Sequence, residues 1–361
     1  MGDNIFFSVG HLPPIHIIPE YLLLDILSYL EPAPTVNFQE IEREFHLISA
    51  ESFQWLSSQW YGHPFNETKE REYYSKVLFS MVPSSSKSEI IEYLTRLLSH
   101  PRIHSFERGE EIMDMISSLT AKYCGSAVSG GIVRNFLLSN KDKGVHVPIK
   151  IKELGIANDN IGWKTWGASY PFAQKVIEDD ALFELISTQM DKTFNILELG
   201  SGTGLAGVSI VKKLEMKQLS NWNLYLTDLP EIVGNLEENV ILNNINIDNK
   251  VLVDALDWKQ PSEFKSKTNI TKFEYVVVCD CLYSPEHPKL VANAIDEFLD
   301  KDGLLYIELP LREKYEEERT TLWNLLKQKG FKKILEKEDQ GFDDYGETKY
   351  VFQCYKRDSL T

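Results

Sequence analysis

At 361 residues the chain is long for one domain and suits two. Hydrophobic residues at 43% and charged residues at 25% are those of a globular protein, which excludes disordered, collagenous and coiled-coil classes. A net charge of −16, from 54 acidic against 38 basic residues, repels phosphate-rich polymers and argues against nucleic acid as a partner.

At the N-terminus, Pro13, Pro14 and Pro19 interrupt the apolar run begun by Phe6, Phe7 and Val9, and no basic segment precedes it. No secretory leader is expected on that pattern. No apolar run approaches the roughly 18 residues of a membrane span. A soluble, cytoplasmic protein with no membrane partner is the expectation.

Residues 1 to about 140 read as helices. Tyr21, Leu22, Leu23, Ile26, Leu27 and Leu30 fall at helical spacing, and similar patterns recur over Ile41–Trp60, Tyr73–Met81, Ile90–Leu98 and Ile112–Tyr123. Prolines at 32, 34, 64, 83 and 101 separate them, and the Ser/Lys-rich stretch Ser84–Ser88 reads as a loop. The spacing is irregular, so no repeat of fixed period is present.

From about Val145 the pattern changes. Val145–Ile151 reads as a strand, and a helical stretch runs from after Gly167 to about Met190. Strands and helices then alternate. Strands are predicted at Ile196–Gly200, Asn223–Asp228, Val251–Leu256, Tyr275–Cys281 and Gly303–Leu309. Helices are predicted at Leu205–Leu214, Pro230–Asn243, Pro288–Leu299 and Glu313–Lys329. Apolar strands alternating with helices indicate a parallel sheet buried on both faces. Lys333–Glu338 and Thr348–Lys356 break the alternation as two strands with no helix between them, so the last strand is expected to run antiparallel. A doubly wound sheet finished by a hairpin resembles the seven-stranded, Rossmann-like sheet of class I methyltransferases. The expected architecture is therefore α/β, with an α-helical N-terminal domain at residues 1–144 and a methyltransferase domain at 145–361.

The four cysteines, Cys124, Cys279, Cys281 and Cys354, form no C-x-x-C pair and have no His at metal-ligand spacing. No metal site is expected. Unpaired, sparse cysteines fit a reducing compartment.

The strongest motif is Leu197-Glu198-Leu199-Gly200-Ser201-Gly202-Thr203-Gly204, where a strand ends and a helix begins. Glycines there allow close backbone approach to a ligand, and the helix N-terminus offers free N–H donors. Gly202 to Gly207 also spells G-x-G-x-x-G, the dinucleotide fingerprint, a weak signal alone. Glu198 two residues before the first glycine, the terminal hairpin and the late start of the sheet favour the methyl-donor register. Asp228 ends the second strand, where a carboxylate can accept from both ribose hydroxyls; the plainer reading is a cap for the helix opened by Pro230. Leu256-Asp257-Trp258 follows the third strand, at the turn that borders adenine in this fold, although a buried Trp there is equally a core residue. Cys279-Asp280-Cys281-Leu282-Tyr283 lies at the carboxyl end of the fourth, the edge where open α/β sheets bind ligands. A carboxylate after so apolar a run needs a polar partner or a role: Asp280 can hold a substrate ammonium and Tyr283 can wall the channel. No His is seen placed as a base; His287 is nearest and reads as a surface residue.

Taken together, Gly162-x-x-x-Trp166, the E-x-G-x-G-x-G block, Thr227-Asp228-Leu229, Leu256-Asp257-Trp258 and Asp280-x-x-Tyr283 resemble the protein-lysine methyltransferases of methyltransferase family 16, over roughly residues 155–356. The resemblance implies S-adenosylmethionine as cofactor, contacted by Trp166, Gly200, Ser201, Gly202, Asp228, Trp258 and Cys279. It implies that Asp280 and Tyr283 serve lysine targeting. Within the family, the helical N-terminal extension, Lys164-Thr165-Trp166-Gly167 and Pro310-Leu311-Arg312-Glu313-Lys314-Tyr315 most resemble fungal members acting on translation elongation factors 2 and 3. That implies a protein substrate of this kind, with the N-terminal domain recognising it. A small-molecule or nucleic-acid methyltransferase shares the cofactor half, but the N-P-P-Y element of amino-methylating nucleic-acid enzymes is absent after the fourth strand. A non-enzymatic binding protein on this fold is opposed by intact Gly200, Gly202, Asp228 and Asp280.

Overall fold

The structure, a computed structural model, describes residues 8–60, 67–124, 131–154, 161–182, 193–247, 250–344 and 346–358. The chain forms two compact units, one of Met1–Pro34 with Glu40–Ile132 and the other of Thr35–Gln39 with Val133–Thr361.

The first unit is helical. Its principal helices are Glu20–Tyr29, Ala50–Trp60, Glu67–Phe79, Lys87–Leu98 and Gly109–Cys124, and they bury Leu22, Ile26, Leu94, Leu97, Ile112 and Ile116 in one core. Two local expectations are corrected. No helix covers residues 41–49: Ser49 gives its N–H and hydroxyl to Asp25 Oδ2 at 2.9 and 2.7 Å, and its own Oγ accepts the Ser52 N–H. The helix therefore starts beyond Ser49, as capping chemistry dictates. Ser84–Ser88 is not a loop. A short helix, Met81–Ser84, runs up to it, and Ser86 with Glu89 forms a capping box that opens the next helix.

In the second unit, Thr35–Val36 (β1), Gln39–Glu40 (β2), Ile132–Asn140 (β3) and Val145–Glu153 (β4) form a small sheet in the order β2-β1-β3-β4. β3 was expected to be helical. Its burial alternates along its second half, with Phe136, Leu138 and Asn140 inward, which is the period of a strand. The 144/145 boundary expected from the sequence falls between β3 and its neighbour β4; the two units divide at 132/133 instead.

The main sheet has seven strands: Phe194–Leu199 (β5), Trp222–Asp228 (β6), Val251–Ala255 (β7), Phe273–Cys279 (β8), Leu299–Pro310 (β9), Phe331–Asp343 (β10) and Gly346–Arg357 (β11). Their order is β10-β11-β9-β8-β5-β6-β7. Pairs from β9 to β7 are parallel, while β11 runs antiparallel to both β9 and β10. The terminal hairpin is as expected, with β11 inserted beside β9. Successive residues enter opposite cores: Ile196, Leu224, Tyr275 and Val277 pack with the helices Ser169–Glu178 and Leu205–Met216, whereas Leu197, Tyr225, Val276 and Val278 pack with His287–Phe298 and Glu316–Gln328. Helices thus cover both faces. Ser169–Glu178 ends well before Met190, and residues 183–192 lie outside the described residues. An unexpected short helix, Pro261–Thr268, follows β7. Among the described residues no helix is long and apolar enough to cross a membrane.

The order reverses at β5, with β6 on one side and β8 on the other. The carboxyl ends of these strands and of β7 therefore open onto one crevice, the usual ligand edge of such sheets.

Candidate active site

A cavity of about 360 Å³ lies at that edge, within the size range of small-molecule sites. Trp166, Gly200, Gly202 and Asp228 line it, as do Trp258, Cys279, Asp280 and Tyr283. Eight of the nine residues singled out from the sequence therefore share one cavity. Ser201 does not line it; the side chain is 8% exposed and its hydroxyl accepts the Thr227 N–H at 3.1 Å.

The glycine loop is shaped by positive φ angles, +72° at Gly200 and +54° at Gly202, which L side chains rarely adopt. A Cβ on Gly200 would stand 3.0 Å from the Trp258 ring, so the loop passes close beneath the indole. Gly200 and Ser201 donate their N–H groups to the Thr227 carbonyl at 3.0 and 2.9 Å, which fixes the loop to β6. Asp228 accepts the Gly202 N–H at 2.7 Å through Oδ2 and the Leu229 N–H at 2.7 Å through Oδ1. The residue capping the helix Pro230–Leu242 is Leu229, so Asp228 is not its side-chain cap. Burial raises the Asp228 carboxyl to about 6, against the pull of those two N–H groups. Beneath the loop, burial raises Glu198 to about 8, opposed by Ser201 and the Gly207 N–H.

Asp280 follows β8 with φ of +49°, a conformation costly for most residues but more accessible to Asp. Its N–H donates to the Glu308 carbonyl at 3.0 Å, which anchors the turn to β9. Its side chain is 9% exposed, and Oδ2 has no hydrogen-bond partner among the described residues. Burial raises this carboxyl to about 6; the Arg312 guanidinium and Ala168 N–H work against that rise. Below the turn, the buried Glu308 carboxylate pairs with Lys175 Nζ at 3.1 Å, joining β9 to the helix Ser169–Glu178.

Sequence reasoning missed several residues here. His287 is half-buried rather than a surface residue. It lines the cavity and donates from Nδ1 to the Cys281 carbonyl at 3.0 Å. Its ring meets Tyr283 edge-on at 4.2 Å and Trp258 at 5.9 Å. Burial lowers its pKa, against the Cys281 carbonyl and Glu286, which favours the neutral ring. Arg312, Asp343 and Tyr350 cluster behind Asp280. The available signal was a charged segment, Arg312–Lys314, directly after the apolar strand β9.

The residues present fit S-adenosylmethionine. The loop needs no side chains at Gly200 and Gly202, and Asp228 can accept from ribose hydroxyls. Asp280 Oδ2 remains buried without a hydrogen-bond partner among the described residues. Bound there, the cofactor supplies a methyl group on a sulfonium, with a good leaving group built in.

Comparison with known proteins agrees. The lysine methyltransferase family model matches residues 146–328. Protein-lysine N-methyltransferase EFM2 of Saccharomyces cerevisiae is 32% identical over 97% of this chain and 87% of its own. Protein-lysine N-methyltransferase rrg1 of Schizosaccharomyces pombe is 28% identical over 73% of this chain and 83% of its own. The match spans the glycine loop, the Asp228 strand end and the Asp280 turn, and the chain belongs to the lysine methyltransferase family: it is an S-adenosylmethionine-dependent protein-lysine N-methyltransferase.

Proposed function

We propose that this enzyme methylates a lysine of translation elongation factor 2 or 3 in the cytoplasm. In this reading Gly200, Ser201 and Gly202 cradle the amino-acid part of the cofactor, Asp228 holds the ribose, and Trp258 borders the adenine. Trp166 and Cys279 complete the cofactor wall. Asp280 receives the target ammonium and Tyr283 walls its channel. A lysine side chain in water has a pKa of about 10.4, so it must lose a proton before attack. A carboxylate at Asp280 holds the ammonium in line until that proton leaves to water, and alignment supplies most of the remaining acceleration.

One observation carries the reading: Asp280 lines the cavity with Gly200, Gly202 and Asp228, and its buried Oδ2 has no hydrogen-bond partner among the described residues. Support for the elongation-factor substrate comes from the segments Lys164–Gly167 and Pro310–Tyr315. It also comes from a similarity to EFM2 that extends through the helical unit. That unit exposes Ile41, Phe45 and Leu47, interleaved with Glu42 and Glu44, a surface suited to a basic protein. We assign it substrate recognition.

The test incubates the enzyme with labelled S-adenosylmethionine and purified elongation factor 2 or 3, followed by mass spectrometry of the methylated lysine. Replacing the exposed Ile41, Phe45 and Leu47 by Ser should leave cofactor binding intact and impair methylation. Methylation of another protein, and of neither factor, would overturn the substrate; full activity of that variant would remove the recognition role.

A further inference from the structure

Behind the cavity, a guanidinium reaches two of its walls at once. Arg312 lies just past β9. Its backbone is clamped: Arg319 donates to the carbonyls of Pro310 and Arg312 at 3.2 and 2.6 Å, and the Leu311 N–H donates to the Lys349 carbonyl at 2.7 Å. Its side chain bonds Asp343 Oδ2, at the end of β10, at 2.6 Å. The same Nη2 stands 3.8 Å from Asp280 Oδ2, within ion-pair reach but beyond a hydrogen bond. The guanidinium carbon is 5.8 Å from the centre of the Trp166 ring, in cation–π range. Asp280 and Trp166 line the cavity, whereas Arg312 and Asp343 stand behind them.

We propose that Arg312 is a positioning residue for methyl transfer: fixed by Asp343, it orients the Asp280 carboxylate and the Trp166 ring and keeps Asp280 charged for the incoming ammonium. The proposal rests on the reading of Asp280 as ammonium receptor. The distances explain how both can hold. Asp343 takes the hydrogen bond, so Arg312 offers Asp280 charge while leaving Oδ2 its hydrogen-bonding capacity. Of the groups facing Asp280, Asp343 raises its pKa, and Arg312 and the Ala168 N–H lower it. Tyr350 and the Cys279 and Cys281 thiols adjoin it, all held neutral by burial. Among the described residues, Arg312 is the cation within ion-pair reach of Asp280, while Lys164 Nζ stands 5.2 Å from the Trp166 ring. A role limited to holding the hairpin would move stability and leave the Asp280 titration where it is.

The experiment compares wild type, Arg312→Gln and Arg312→Lys in the full chain. Two readouts are a carboxyl 13C NMR titration, with Asp280→Asn assigning the signal, and the pH profile of kcat/KM on elongation factor 2. In Arg312→Gln the Asp280 midpoint should rise by about one unit or more, because a neighbouring Arg depresses a carboxyl by that order. Turnover near pH 7 should fall by at least about twofold, the share of charged Asp280 lost when a midpoint near 6 rises by one unit, and recover partly at higher pH, with cofactor affinity little changed. Arg312→Lys keeps the charge, so the midpoint should stay near that of wild type; if the Gln variant does not fold, Arg312→Met, which removes the charge and keeps an apolar stem, should show the same rise. An unmoved midpoint in a folded Gln variant, or equal shifts in Gln and Lys, overturns the proposal. If wild type methylates no elongation factor, the substrate reading fails, while the titration still decides whether Arg312 governs Asp280.

Discussion

The Gly202 N–H donates to Asp228 Oδ2 at 2.7 Å and so ties the glycine loop after β5 to the end of β6. One carboxylate therefore both shapes the loop and faces the cavity.

Replacing Asp228 has two consequences. On the proposed role of Asp228 at the ribose, Asp228→Ala removes charge-assisted bonds worth roughly 1.5–3 kcal/mol each, so cofactor affinity should fall at least about tenfold. It also strips the Gly202 and Leu229 N–H groups of their acceptor, and Tm should drop. Asp228→Asn keeps one acceptor and should be milder on both counts. Because burial places this carboxyl near 6, wild-type affinity should be steady above that pH and decline below it. Calorimetry across pH checks all three; unchanged affinity in the Ala variant would remove Asp228 from the cofactor site.

Asp280→Asn retains shape and loses charge. Turnover should collapse while cofactor affinity is mostly kept. Tyr283→Phe should be milder, since the ring stays and its contact with His287 survives. Paired calorimetry and mass spectrometry separate the effects. Cofactor binding lost in step with activity would move Asp280 to the cofactor site.

Gly167 is constrained by proximity. A Cβ there would fall on the Tyr350 hydroxyl and 2.8 Å from the Asp343 Cβ, both on the terminal hairpin. Gly167→Ala must push the Trp166 segment away from β10 and β11. Overpacking of this kind costs about 1–3 kcal/mol, and activity should fall further because Trp166 lines the cavity. Thermal unfolding and turnover of the variant measure both; wild-type values would show that the hairpin yields.

Glu198 predicts a pH dependence of stability. Its folded pKa of about 8 lies above the ordinary 4.5, so its protonated form is favoured by folding. That contribution is complete below pH 4.5 and is lost as pH rises through about 8. Glu198→Gln lacks the slope. The variant should gain on wild type as pH rises across this window, by at most about 1.4 kcal/mol per pH unit. Urea unfolding of the cofactor-free protein at several pH values tests it, and parallel curves for the two proteins would contradict it.

The glycine loop was legible in the sequence because its parts are contiguous: the apolar strand ends at Leu199, the glycines follow, and the helix begins at Leu205. Asp228, Trp258 and Asp280 were legible because each ends or follows a strand that hydrophobic pattern alone locates. β3 was misread. Its exposed residues Val133 and Leu137 are apolar, so the sequence lacks the polar alternation that its burial shows. The start of the helix at Ala50 was also missed, because it depends on Asp25, which is distant in sequence.

By itself the sequence determined the alternating strands and helices, the final hairpin and the glycine loop, since these follow from local periodicity, glycine conformation and capping. The tertiary structure decided what stands behind the reacting edge. Arg312, Asp343 and Asp280 come from the ends of β9, β10 and β8, and they meet only because β11 inserts between β9 and β10 and turns the hairpin back toward Trp166. It likewise placed His287 against Tyr283 and turned Ser201 toward β6. Strand order and register are set by long-range pairing and burial, and no local pattern encodes which strand ends come together.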